Sequence, residues 1–275
     1  MAAPLTVDRH YGRAGIAERA LATLREAKGP DAPITPETLA PIDHFHGRGV
    51  LATEELAVLL DPQPGEHILD IGSGIGGPAR WIAYKRGCRV TGVDLTPEFC
   101  EAATALTAAC GMADRVTINQ GSATDLPLAD NTFDRAYSQN VVMNIADKPR
   151  FCGEAFRVLR PGGVLALSNV CAGSGPPYFP VPWASVPELS FLATPDETRG
   201  DLLAAGFEIV SFRDTTDELR AAAARDRERV EREGLPVIGI HIIMGDRIRE
   251  MRINSARSSE EGRTRTIEVL ARKPV

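Results

Sequence analysis

The chain has 275 residues, of which 43% are hydrophobic and 25% charged, and its net charge is −6. This is the composition of an ordinary folded protein, long enough for one large core with a cap. The acidic balance speaks against nucleic acid as a partner, and no apolar run approaches the roughly 20 residues of a membrane span. Nothing resembles a signal peptide. The five cysteines are odd in number and lack Cys-x-x-Cys spacing, so they read as reduced thiols of a cytoplasmic protein.

In chain order, residues 1–64 read as an N-terminal helical segment that covers the active site. Apolar spacing of three and four predicts a helix over 16–24 and another over 52–60. Between them lie a proline-rich link and the segment Asp43-His44-Phe45-His46-Gly47, which holds two of only five histidines. No third ligand is evident beside this pair, so it is not read as a metal site. A wall of the active site, with His44 or His46 as hydrogen-bond partner or base, and a structural role are both open. From residue 65 the pattern alternates strand and helix, which implies a parallel sheet covered on both faces. Strands are expected at 66–71, 89–94, 115–119, 133–138, 163–169, 207–213 and 265–272. Helices are expected at 77–86, 97–110, 147–159 and 195–205, with Thr96 as N-cap before Pro97. Two insertions, 171–187 and 214–262, lie where a lid would be built. The second holds a charged helix at 216–233 and a helical piece at 241–256.

The stretch from His67 to Gly77 carries most of the functional information. The run Ile68, Leu69, Ile71 is a buried strand, and Gly72, Gly74, Gly76 and Gly77 form a bare-backbone turn. The next strand ends in Asp94, about 20 residues on, where a carboxylate is placed to bind ribose hydroxyls. Gly72, Gly74 and Gly77 satisfy the dinucleotide pattern, so an NAD-dependent oxidoreductase is one reading. Asp70, Gly72, Gly74 and Gly76 also form D-x-G-x-G-x-G, the loop of class I S-adenosylmethionine (AdoMet) methyltransferases. Asp70 suits a ligand with an ammonium group better than a pyrophosphate. The segments around Ser122–Pro127, Phe133–Asn140 and Arg157–Gly163 follow in the order that family uses. Ligands of such sheets bind at the carboxyl ends of the strands, so Gly72–Gly76, Asp94, Ser122 and Gln139 should border one crevice.

From about His10 onward the chain resembles the class I AdoMet-dependent methyltransferases, and within them the sarcosine/dimethylglycine N-methyltransferase-like group. Tyr11-Gly12, the histidine segment, Ile68 to Pro78, Val90 to Thr96, Gln139 to Ile145 and Pro180-Val181-Pro182-Trp183-Ala184 carry the likeness. The resemblance implies a Rossmann-like, seven-stranded, mostly parallel sheet over residues 65–275. It implies that Asp70, Gly72, Ser73 and Gly74 line the methionine part of AdoMet, and Asp94 and Leu95 the ribose and adenine. By the same resemblance Ser122 and Ala123 meet the adenine, Gln139 the methyl end, and Tyr11 closes over the cofactor. The expected reaction is methyl transfer to a small molecule, leaving S-adenosylhomocysteine.

N-methylation of a small amine is the first expectation, with O- or C-methylation of a secondary metabolite as the alternative. A binding protein without turnover is a third class. Asn144 and Asp147 are either pocket residues or caps of the next helix. Tyr178, Phe179 and Trp183 are either cation-stabilising or simple packing. His241 is a candidate for reaching the substrate, and His67 reads as structural.

Overall fold

The computed structural model describes residues 6–12, 14–44, 46–234, 236–245 and 247–275. Phe45, part of the histidine segment, lies outside the described residues, as does Asp246. The described residues form a seven-stranded sheet in the order β3-β2-β1-β4-β5-β7-β6. The strands are β1 (His67–Ile71), β2 (Arg89–Asp94), β3 (Val116–Gln120), β4 (Phe133–Gln139), β5 (Leu159–Ala172), β6 (Glu208–Asp214) and β7 (Thr264–Arg272). Strand β7 runs antiparallel to both of its neighbours, and the rest of the sheet is parallel. Each predicted strand is present, yet β5 is much longer than the expected 163–169. Phe133 pairs Leu159 and Arg135 pairs Val164, so a bulge absorbs the extra residues. Gly162, at φ +80°, sits in that bulge. The lid loop therefore starts only after Ala172.

Alternation along β1 divides the core. Leu69 and Ile71 join a cluster with Phe151, Ala155 and Val158 of α7 (Lys148–Val158) and Leu202 of α8 (Pro195–Ala204). Ile68 faces the other way, toward Leu56 and Leu60 of α4 (Val50–Leu60) and Ile82 of α5 (Gly77–Arg86). Each such side chain, fully buried, contributes about 1.5–3 kcal/mol. Helix α6 (Pro97–Ala109) begins after Thr96, but the Thr96 side chain makes no capping bond. The carboxylate of Asp94 accepts the Thr96 amide instead.

The N-terminal residues form α1 (Val7–Tyr11), α2 (Ile16–Lys28) and α3 (Pro36–Asp43) before α4. Helices α1 and α3 are additions to the sequence reading. The signal for α3 was present, since Thr35 and Thr38 form a capping box with Pro36 at the first turn. The lid insertion holds α9 (Thr216–Glu233), and the expected piece at 241–256 is two helices, α10 (His241–Met244) and α11 (Ile248–Glu260). Ile243, Met244 and Met251 pack with Leu24 of α2, Leu39 of α3 and Phe99 of α6. No described helix is long and apolar enough to cross a membrane.

A buried ion pair holds the N-terminal helix α3 to α5 and α6. Arg80 of α5 is fully buried and reaches Asp43, the last residue of α3, through Nη2 to Oδ1 at 2.7 Å and Nε to Oδ2 at 3.3 Å. Its Nη1 donates to the Ala103 carbonyl at 3.2 Å and to the Thr107 hydroxyl at 3.1 Å. Gly77 allows this approach, because a Cβ there would lie 2.3 Å from the Asp43 carbonyl oxygen. Removing one partner strands the other charge in a dry site, at a cost of about 3–5 kcal/mol. Arg80→Met is expected to lower the urea midpoint accordingly, whereas a surface control such as Lys85→Met should change it little.

Candidate active site

The glycine turn after β1 is closed by backbone and by one carboxylate. The amides of Gly72 and Ser73 donate to the Val93 carbonyl at 2.8 and 3.0 Å. Gly72 and Gly74 take φ values of +83° and +53°, which a side-chain-bearing residue rarely adopts. A Cβ at Gly72 would also fall 2.3 Å from Val141, so the turn lies against the segment after β4. Asp94, at the end of β2, accepts the Gly74 amide through Oδ2 at 2.7 Å and the Thr96 amide through Oδ1 at 2.9 Å. Each oxygen keeps one lone pair. Burial outweighs these amide bonds and lifts the Asp94 carboxyl above its ordinary value. Leu95 beside it is exposed.

Beneath the turn, Asp70 is buried and its Oδ2 has no hydrogen-bond partner. The Tyr137 hydroxyl lies beside it, short of a formed bond. Burial pushes the Asp70 carboxyl up to about 7, opposed by Tyr137 and reinforced by the negative charge of Asp94. The buried Ser73 hydroxyl is likewise unpartnered. After β3, the Ser122 hydroxyl meets that of Thr124 at 2.8 Å, and Ala123 packs on the core beside it.

A second polar cluster lies under α4. Thr53 is fully buried, and its hydroxyl stands 2.9 Å from His44 Nδ1, 3.4 Å from His46 Nε2 and 3.2 Å from Gln139 Oε1. The two imidazoles lie edge to face with centroids 5.9 Å apart, and His44 also stands edge-on to Trp81. His44 Nε2, His46 Nδ1 and Gln139 Nε2 are buried without a partner. Burial, joined by nearby positive charge, pushes His44 down to about 3 and His46 down to about 4. Both rings are therefore neutral near pH 7. Arg48, the guanidinium next to them, is engaged by Glu55 and by the buried Glu268 of β7.

The structure brings the N-terminal and lid segments onto this edge. The Tyr11 hydroxyl donates to Asn144 Oδ1 at 3.2 Å, and Asn144 Nδ2 donates to the carbonyls of Trp183 at 2.7 Å and Leu189 at 3.1 Å. Asn144 thus fastens the lid loop and does not cap a helix, whereas Asp147 caps α7 through the Arg150 amide. Of the lid aromatics, Phe179 and Trp183 follow their packing reading, and Tyr178 meets cations of the protein itself. Trp183 is buried among Met143, Val181 and Leu189, and the guanidinium groups of Arg257 and Arg263 lie 4.0 and 4.2 Å from the Tyr178 ring centre. His67 bonds Thr91 and stacks near Phe133, a structural role. His241 opens α10, whose Ile243 and Met244 pack on α2. A cavity of about 170 Å³ opens beside Tyr11, bordered by His10, Met244, Arg247 and Met251.

Sequence reasoning missed Thr53 and the partnership of Arg80 with Asp43. A threonine inside a helix and an arginine following a glycine turn both read as surface residues.

Residues 69–167 match the family described as methyltransferase domain. The chain is 32% identical over 173 residues to the O-methyltransferase resE of Aspergillus sclerotiorum, covering 61% of this chain and 64% of that protein. It is 30% identical over 170 residues to a sarcosine/dimethylglycine N-methyltransferase of Halorhodospira halochloris, covering 62% and 61%. Across curated relatives that it matches, the chain spans 32% to 64% of their length. The structure of the [4+2]-cyclase SpnF superposes with a TM-score of 0.68 at 24% identity, covering 100% of this chain and 99% of that one. The methyltransferase-domain match takes in the glycine turn, β2, β3, β4 and most of β5. SpnF, a cyclase, shares its fold alone, so chemistry has to be argued from the site.

The depressed histidines make stability fall in acid. Below pH 6.5 the unfolded chain takes up protons that the folded rings refuse until about pH 3 or 4. For His44 this costs the fold about 1.4 kcal/mol per pH unit below 6.5. Urea titrations from pH 7 to 4.5 should show this slope, and His44→Gln should reduce it.

Proposed function

We propose that the protein transfers the methyl group of AdoMet to a hydroxyl of a small, uncharged acceptor. The supporting observation is the buried, neutral pair His44 and His46, each with a ring nitrogen left without a partner. When bound, AdoMet supplies a methyl group made electrophilic by its sulfonium. A hydroxyl must give up its proton as its oxygen is methylated, so it needs an acceptor at hand. Near neutral pH the two rings keep that lone pair free of protonation, at some loss of basicity. Gln139 stands in the same cluster and would orient the acceptor. A small amine is the second reading, favoured by the likeness to the Halorhodospira N-methyltransferase. Against an amine that also carries an anionic group, Arg48 is already bound by two carboxylates.

The residues present fit the cofactor. Asp70 offers a bare buried oxygen to the ammonium of the methionine part, and Ser73 a bare hydroxyl. Gly72 and Gly74 leave their backbone open, while Asp94 retains a lone pair on each oxygen for the ribose. Leu95, Ser122 and Ala123 would border the adenine and Gln139 the methyl end. The segment 1–64, with Tyr11, and the insertions at 171–187 and 214–262 would together exclude water. Contacts such as His10 with the Pro182 carbonyl and Asn254 with the Pro180 carbonyl support that closure.

Two experiments test this reading. Incubation with methyl-labelled AdoMet and a panel of phenols, sugar hydroxyls and amines should label the hydroxyl compounds, and His44→Gln should lower kcat about 10²-fold. Label entering amines alone would overturn the choice of acceptor. Because Asp70 titrates near 7, AdoMet affinity should strengthen from pH 6 to 8 as the carboxyl loses its proton. In Asp70→Asn that contribution should vanish, the difference between the two proteins cancelling the ligand's own titration.

A further inference from the structure

The geometry points to Thr53 as the positioning residue that sets the tautomers of both histidines, leaving His44 Nε2 and His46 Nδ1 as bare proton acceptors. This rests on the reading of the histidines as proton acceptors. A threonine hydroxyl has one hydrogen to donate and two lone pairs to accept with. Around Thr53 Oγ1 stand three partners: Gln139 Oε1 at 3.2 Å, His44 Nδ1 at 2.9 Å and His46 Nε2 at 3.4 Å.

Gln139 Oε1 is a carbonyl oxygen and can only accept, so it takes the single hydroxyl hydrogen. Both lone pairs then face ring nitrogens, and each ring has to present an N–H. His44 is therefore protonated on Nδ1 and His46 on Nε2. The opposite nitrogen of each ring carries the lone pair, and these are the atoms that lie buried without a partner. The same bond turns Gln139 Nε2, a donor, away from Thr53 and leaves it unpartnered as well. One hydroxyl in α4 thus arranges two acceptors and one donor. A neutral histidine side chain in water favours the Nε2–H form, so His44 is held against its own preference. No other described hydrogen bond reaches either ring, so nothing else holds that arrangement.

Nitrogen-15 NMR of the ligand-free protein tests this without any acceptor molecule. The wild type should show His44 protonated at Nδ1 and bare at Nε2, with His46 the reverse. In Thr53→Val, which removes the hydroxyl, His44 should revert to the Nε2–H form, and Thr53→Ser should restore the native pattern. A wild-type spectrum with His44 protonated at Nε2, or a Thr53→Val spectrum unchanged at both rings, overturns the inference. In turnover with a hydroxyl acceptor, Thr53→Val should lower kcat about 10- to 100-fold and leave the KM for AdoMet unchanged, with recovery in Thr53→Ser. Equal loss of kcat in the Ser and Val variants would mark Thr53 as mere packing and also refute the assignment. If no hydroxyl compound is methylated at all, the acceptor proposal fails while the spectra still decide the tautomers.

Discussion

The ion pair between Arg80 and Asp43 is the constraint on which the arrangement of the site depends. A guanidinium with no exposure has to find oxygen atoms for its donors, and the available ones come from α3 and α6. Satisfying them brings the C-terminus of α3 against Gly77, at the start of the helix that follows the glycine turn. His44 is the next residue in the chain, so its distance from the turn is set by the same contact. The histidine cluster and the nucleotide-type turn are thereby parts of one rigid corner, although more than 25 residues separate them in sequence.

Two electrostatic environments meet across that corner. On one side, Asp70 and Asp94 collect negative character under an open backbone turn, and burial keeps Asp70 close to the point where it changes charge. On the other, the imidazoles lie in a site too poorly solvated to hold a positive charge. A cation would be welcome at the first and unwelcome at the second. Such a division separates a place for a charged donor of a group from a place for a neutral recipient.

Much of the architecture could be read from the residues because its causes are local. Apolar runs such as Ile68 to Ile71 and Val90 to Val93 demand burial on both faces, and the helices between them keep the spacing of an amphipathic surface. The glycine turn and Asp94 were legible for the same reason, each being a short-range requirement of backbone conformation or of strand end. Partnerships across long separations were not legible. Nothing in the pattern around Arg80 distinguishes an arginine sealed in the core from one in water, and Thr53 gains its meaning only from residues 7, 9 and 86 positions away. The length of β5 was missed because Arg160-Pro161-Gly162-Gly163 has the composition of a turn, while β7 pairs along the whole strand beyond it. The lid aromatics show the converse: Tyr178 stands out in the sequence, and its face is covered by two arginines.

Asp94 has a consequence for how this scaffold could be re-engineered. Its two oxygens already carry the amides of Gly74 and Thr96, so the carboxylate is a brace for the turn before it is anything else. An amide in its place would present a donor to one of those N–H groups and buckle the bend. An altered nucleoside preference is therefore better sought through its base, at Leu95 or Ser122, which border the same edge without supporting its shape.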